Sequence, residues 1–236
     1  MNVFISPPFG TYLNLPNTNS IRGSFTLEPR KGLILQILKT LRYSNIHNGW
    51  INKIGLRNPG IDYALQKYGK DSIGEHNIIS IAILQKSDVP IFLNKIPNNI
   101  NLEINVSCPN AEKEMVDEDI HKFLNPERKW CIIKVSPHVN KNKLDEYYEK
   151  GFRQFHLSNT IPTPAGGLSG KSLIPYNENN IKYLRNKYPD TTIIGGGGIQ
   201  TKEDVYMYKS YGVNHVSVST LCFNPYKFLK FYMSIF

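Results

Sequence analysis

Residues 104–110 read Ile-Asn-Val-Ser-Cys-Pro-Asn. An apolar run ends there by presenting a thiol, flanked by a hydroxyl and two amides, ahead of a proline. A cysteine that only packs needs no such company. A thiol held among polar groups at a strand end acts as a base or nucleophile, provided enough of it is thiolate at the working pH. Cys108 is therefore the candidate catalytic residue. Cys131 and Cys222 lack such surroundings and are expected to be structural. His76, His138, His156 and His215 show no metal-ligand spacing, so packing or surface roles and no metal are expected.

A second chemical signal is the stretch Thr-Thr-Ile-Ile-Gly-Gly-Gly-Gly-Ile-Gln-Thr from Thr191 to Thr201. A buried strand runs into Gly195–Gly198 and then into a helix whose first turn holds Glu203 and Asp204. Glycines let a backbone approach a ligand closely, and N–H groups at a helix start form an anion site. Ser219 and Thr220 end the next apolar run and are placed to join the same pocket. No Gly-Lys-Ser/Thr follows, so this is not a Walker loop. Ala165–Lys171 holds a second glycine cluster, expected to be a loop covering a cofactor.

These groups need a scaffold that brings strand ends together. Short β-branched runs at 2–6, 23–28, 77–84, 101–108, 130–136, 152–159, 190–196 and 214–220 alternate with polar, lysine-rich segments of helical length. Continuous apolar strands bounded by turn residues indicate a parallel sheet covered by helices. Segments 140–151, 177–190 and 201–212 carry helical spacing, and an amphipathic helix is expected at the C-terminus. The pattern predicts an α/β (β/α)8 barrel in a single domain, 1–236, trimmed between the first two strands, where residues 7–22 are too rich in Pro and Asn for a helix. An open doubly wound sheet is the other arrangement the pattern allows.

The chain has 236 residues and a net charge of +9, with its Lys and Arg spread along the sequence. Without a dense basic run, a generally basic surface with an anionic ligand site is expected rather than nucleic acid. No apolar run approaches the ~20 residues that cross a bilayer, so no membrane partner is expected. The N-terminal residues show no leader pattern, and three cysteines suit a reducing compartment, with cytosol as the expected location.

Taken together, Gly23–Gly32, Ile51–Asp62, Leu102–Asn110, Ile132–Pro137, His156–Gly170, Ile193–Ile199 and Val216–Thr220 resemble, in order, the dihydroorotate dehydrogenase family of FMN enzymes on (β/α)8 barrels. The Asn-x-Ser-Cys-Pro-Asn motif is similar to the soluble class, whose base is a cysteine. The resemblance implies oxidation of dihydroorotate to orotate, with Cys108 removing the C5 proton while hydride passes from C6 to FMN. It implies substrate contacts from Asn52, Gly55, Leu56, Asn105, Asn110, Asn159 and Thr160. It implies FMN contacts from Ser24, Asn105, Lys134, Ser158, Gly170, Gly197, Gly198, Ser219 and Thr220, the last four around the phosphate. A homodimer and a small pyrimidine substrate are also implied.

One departure stands out. The soluble class carries a lysine where this chain has Gly23, with Arg22 or Lys53 as the candidate replacements. Two alternatives remain open on the sequence: a barrel similar to the tRNA-dihydrouridine synthases, and a degenerate barrel that binds FMN or phosphate without catalysis.

Overall fold

The computed structural model describes residues 1–107, 115–157 and 159–236. In its first half the chain forms β1 (Val3–Ile5), β2 (Thr18–Phe25), α1 (Leu33–Thr40), β3 (Arg42–Ser44), β4 (Gly49–Asn52), α2 (Ile61–Tyr68), β5 (Asn77–Ile81), α3 (Asp88–Lys95) and β6 (Leu102–Asn105). There follow β7 (Cys131–Val135), α4 (Lys141–Glu149), β8 (Gln154–Leu157), β9 (Ile161–Thr163), β10 (Gly166–Gly170), α5 (Ile174–Lys187), β11 (Thr192–Gly196), α6 (Lys202–Tyr211), β12 (His215–Val218) and α7 (Pro225–Ile235).

Eight of the strands close a barrel in the order β1-β12-β11-β8-β7-β6-β5-β2, with β2 returning to β1 and every pair parallel. Side chains alternate between the two faces of a strand, and the apolar residues divide accordingly. Ile79, Ile81, Leu102, Ile104, Ile133, Val135, Phe155 and Leu157 face outward and pack with Ile61, Phe92, Leu144, Ile181 and Tyr208 of the surrounding helices. Phe4, Ile21, Ile78, Trp130, Ile132 and Ile194 form a separate cluster drawn from the strands and their ends, the floor of the barrel interior. The predicted (β/α)8 architecture is therefore the one observed.

Three details differ from the sequence reading. The second strand runs over Thr18–Phe25, starting five residues before the predicted 23–28, because it is zipped between β1 and β5 despite its polar start. The expected loop at Ala165–Lys171 is mostly strand: β10 pairs antiparallel with β4 and β9, and β3-β4-β10-β9 form a small sheet. Between β2 and β3 lies α1, an eight-residue helix with no buried residue. As expected, no α-helix joins β1 to β2, where a single 3-10 turn spans Phe9–Thr11.

Helix ends follow local capping chemistry. The Asn140 side chain accepts from Asn142 N to start α4, and Asn224 accepts from Lys227 N ahead of Pro225 to start α7.

Candidate active site

The barrel interior turns from apolar to polar toward the carboxyl ends of its strands. Two residues beyond Phe4, Ile21, Ile78, Ile132 and Ile194 on the same strand faces come Ser6, Gly23, Ser80, Lys134 and Gly196. Into this layer β6 sends Glu103 and β8 sends His156, both buried.

Glu103 is the hub. Its Oε1 accepts from Ser80 Oγ at 2.8 Å and lies 3.8 Å from Lys134 Nζ, and its Oε2 is 2.6 Å from His156 Nδ1. Burial disfavours the charged carboxyl, but Lys134, His156 and Ser80 outweigh it and hold the group down at about 2. Burial pushes His156 down, against the pull of Glu103. The state these contacts favour is a carboxylate accepting from a neutral imidazole protonated at Nδ1, because a carboxylate can only accept.

The network continues upward. Ser80 Oγ is 2.8 Å from Ser24 Oγ, Asn105 Nδ2 donates to Ser24 Oγ at 3.0 Å, and Asn159 Nδ2 donates to Asn105 Oδ1 at 2.9 Å. Ser107 N donates to the same Asn105 oxygen at 3.3 Å, and Thr160 N donates to Asn159 Oδ1 at 3.0 Å. The ends of β2, β5, β6 and β8 are thereby tied together around Lys134 on β7. Cys108, the expected base, follows Ser107 in the chain; it lies outside the described residues, as do Asn110 and Ser158.

Over this network opens a cleft with two lobes, of about 140 Å³ and 390 Å³. Asn52, Lys134, Asn159 and Thr160 line both. Gly170, Gly197, Gly198, Ser219 and Thr220 line the first lobe, whereas Ser24, Gly55, Leu56 and Asn105 line the second. All the expected site residues within the described stretches thus meet at one cleft. The charged side chains on its walls are Lys134 and Arg57, with no carboxylate among the described lining residues.

The glycine corner is braced from behind. Tyr208 Oη donates to the carbonyls of Gly196 and Gly197 at 2.7 Å and 2.6 Å, and Asn177 Nδ2 donates to Gly196 O at 2.7 Å. Gly198 has φ +85, and a Cβ there would stand 2.9 Å from Lys171 Cα, so the loop excludes side chains where it borders the cleft. The expectation that the start of α6 is the anion site needs correction. Asp204 Oδ2 accepts from Gln200 N and Thr201 N at 2.8 Å and 3.0 Å, while Thr201 Oγ1 accepts from Asp204 N. The helix caps itself, and Gly197, Gly198 and Ile199 are the corner residues that reach the cleft.

Neither candidate replacement for the lysine absent at Gly23 reaches the cleft. Arg22 faces outward, its guanidinium 4.5 Å from the centre of the Tyr68 ring and its Nη2 donating to Asn77 Oδ1. Lys53 is exposed and lines neither lobe. Gly23 itself has φ +127, and a Cβ would fall 2.5 Å from Ser80 O.

Sequence reading missed Glu103, Ser80 and Arg57 and set His156 aside as packing. A carboxylate and a histidine on otherwise apolar strands were the available signals, since such groups are buried only when partnered. Cys131 and Cys222 are buried free thiols, and burial pushes each up to about 12, in keeping with structural roles.

The family model for dihydroorotate dehydrogenase matches residues 12–163. The chain is 29% identical to the catalytic subunit of dihydroorotate dehydrogenase B (NAD(+)) from Staphylococcus carnosus, over 79% of this chain and 71% of the relative. It is 30% identical to the subunit of the same name from Oceanobacillus iheyensis, again over 79% of this chain and 71% of the relative. Among solved structures, a DHODH from Eimeria tenella in complex with ferulenol superposes with a TM-score of 0.68 at 18% identity, covering 94% of this chain and 76% of the other.

Proposed function

The chain belongs to the dihydroorotate dehydrogenase family, and on that premise we propose that it is an FMN-dependent oxidoreductase converting dihydroorotate to orotate, with Cys108 as the base. The observation that carries this reading is the cleft where Asn52, Asn105, Asn159 and Lys134 converge beside the Gly197–Gly198 corner.

The residues suit FMN. Its phosphate needs donors without intervening side chains, which Gly197 and Gly198 provide next to the hydroxyls of Ser219 and Thr220. Its ring system gains negative charge on reduction, and Lys134 is the cation lining both lobes. Ser24, Asn105, Ser158 and Gly170 complete the proposed contacts. When bound, FMN supplies the acceptor for the hydride leaving C6 of the substrate.

The protein's own part is to hold the pyrimidine and take its proton. Asn52, Asn105, Asn110 and Asn159 offer amide donors and acceptors to the ring edge, with Gly55, Leu56 and Thr160 shaping the site. Cys108, as thiolate, removes the proton from C5. The network from Asn159 through Asn105 and Ser24 to Glu103 fixes these side chains before substrate arrives, which lowers the ordering cost of binding.

The test is optical. The purified protein is expected to show flavin absorption bands that bleach when dihydroorotate is added without oxygen, and Cys108→Ala is expected to retain the bands and lose the bleaching. A colourless protein that takes up no FMN defeats the proposal. A yellow protein indifferent to dihydroorotate leaves the binding-only reading, which the absence of a lysine at Gly23 favours. Reoxidation of the chemically reduced flavin by uridine-containing tRNA, with uridine converted to dihydrouridine, would instead indicate the synthase type.

A further inference from the structure

Helix α1 has an unusual surface for its place. Its sequence, Leu-Ile-Leu-Gln-Ile-Leu-Lys-Thr, is apolar at Leu33, Ile34, Leu35, Ile37 and Leu38, yet none of its residues is buried. Leu33 and Ile37 line the larger lobe of the cleft. On the other side Ile34, Leu35 and Leu38 stand 74%, 56% and 78% exposed. Gln36, Lys39 and Thr40 share the remaining side of the helix. An apolar face this wide normally has a covering along its whole width, and the covering of Ile34, Leu35 and Leu38 lies beyond the barrel.

The charges around it indicate what that covering is. From Pro29 to Asn58 the chain holds Arg30, Lys31, Lys39, Arg42, Lys53 and Arg57 and no Asp or Glu. Lys31, Lys39, Arg42 and Lys53 are exposed and form no ion pair among the described residues. A second copy of this chain placed on the same face about a two-fold axis would set this cationic collar against itself. A ridge of three aliphatic side chains is also small against the ~800 Å² per partner of a stable protein interface. By contrast, a bilayer accepts a short apolar helix face to a depth of about 5–10 Å while its anionic headgroups meet surrounding Lys and Arg.

We infer that α1 is a docking element by which the protein attaches reversibly to an anionic lipid bilayer, with Ile34, Leu35 and Leu38 inserted and Lys31, Lys39 and Arg42 against the headgroups. Such a helix lies in the plane of the interface, so the length needed to span a membrane has no bearing on it. The inference stands apart from the redox reading, because it uses only the outer face of α1.

Vesicle flotation with the full chain tests it. The protein is expected to float with vesicles of equal parts phosphatidylglycerol and phosphatidylcholine, to stay behind with phosphatidylcholine alone, and to be released as salt is raised. Leu35→Ser/Leu38→Ser, at exposed positions, is expected to lower the partition coefficient by roughly tenfold or more with an unchanged thermal midpoint. Lys31→Glu/Lys39→Glu is a second variant expected to abolish the preference for anionic vesicles. Failure to bind anionic vesicles, or equal binding by the wild type and the Leu35→Ser/Leu38→Ser variant, overturns the inference. So does a dimer in solution that the same variant dissociates, since a second copy would then be the covering.

Discussion

His156 Nδ1 stands 2.6 Å from Glu103 Oε2 inside the barrel, an imidazole and a carboxylate 53 residues apart and both almost wholly removed from solvent. Their strands are not neighbours: β7 runs between them and contributes Lys134, whose Nζ is 3.8 Å from the other carboxylate oxygen. The pair therefore joins three strands at the level where the floor gives way to the cleft.

Removing the hub is expected to be costly. Glu103→Ala leaves Ser80 and His156 without their acceptor and Lys134 without its counter-charge in a buried site, a change of about 3–5 kcal/mol. Glu103→Gln keeps an acceptor for Ser80 but loses the charge opposite Lys134, and about 1–3 kcal/mol is expected. Urea unfolding, with the m-value held constant, measures both; a Glu103→Ala variant as stable as the wild type would refute the network's structural role.

Restoring the family lysine is expected to fail. Gly23 has φ +127, and any Cβ there meets the Ser80 carbonyl oxygen at 2.5 Å. Gly23→Ala and Gly23→Lys should each lose on the order of 1–3 kcal/mol, and Gly23→Lys should not raise turnover of dihydroorotate. A stable, more active Gly23→Lys enzyme would show that β2 accepts the side chain without penalty.

The cap of α6 separates structure from ligand binding. Thr201→Ala or Asp204→Ala breaks a reciprocal pair of hydrogen bonds, at about 0.5–2 kcal/mol. Because that helix start is satisfied internally, FMN affinity measured by fluorescence quenching is expected to stay within about threefold. A large loss of affinity would return the anion site to the helix terminus.

Stability is expected to fall with acid in a defined window. His215 accepts from Asn2 N through Nδ1 and packs against Phe4 and Trp130; burial, and then the N-terminal ammonium, push it down from 6.5 to about 4. A group whose folded value is depressed contributes stability that is complete above the unfolded value and is lost as pH falls toward the folded one. The loss from His215 therefore runs from about pH 6.5 to about 4, with His156 acting in the same direction and Glu103 adding its share from 4.5 down to about 2. Chemical denaturation at a series of pH values should show a shallower decline between 6.5 and 4 in His215→Asn than in the wild type.

Thiol labelling should distinguish the three cysteines. Burial pushes Cys131 and Cys222 up to about 12, so neither offers thiolate at neutral pH. The native protein is expected to take up one equivalent of alkylating reagent, the unfolded protein three, and native Cys108→Ala none. Labelling of the native Cys108→Ala variant would contradict the burial of the other two.

Much of this was legible in the residues. Ile133 and Val135 on either side of Lys134, the four glycines, and the run from Asn105 to Asn110 marked strands and their ends directly, because buried parallel strands are nearly continuous apolar runs. The start of β2 was not legible, since Thr18, Asn19 and Ser20 carry no apolar signal and are strand because β1 pairs with all three and β5 joins from Ser20 onward. The β9–β10 hairpin read as a loop for a similar reason: Gly166, Gly167 and Gly170 have poor strand preference and are held by β4, more than a hundred residues earlier. Glu103 and His156 each looked ordinary alone, and only the register that sets Lys134 beside His156 and Asn105 beside Lys134 makes them partners.

That register has a consequence for biogenesis. Gly49 pairs with Gly170, Asn52 with Gly167, and Val3 with Val216. As the polypeptide leaves the ribosome amino end first, β1 must wait for β12, the last strand of the barrel in chain order, and the small sheet bearing Asn52 waits for residues beyond 160. Half-made chains accordingly hold neither a sealed cylinder nor a complete cleft, and a chain ending before β12 leaves an open sheet with two unpaired edges.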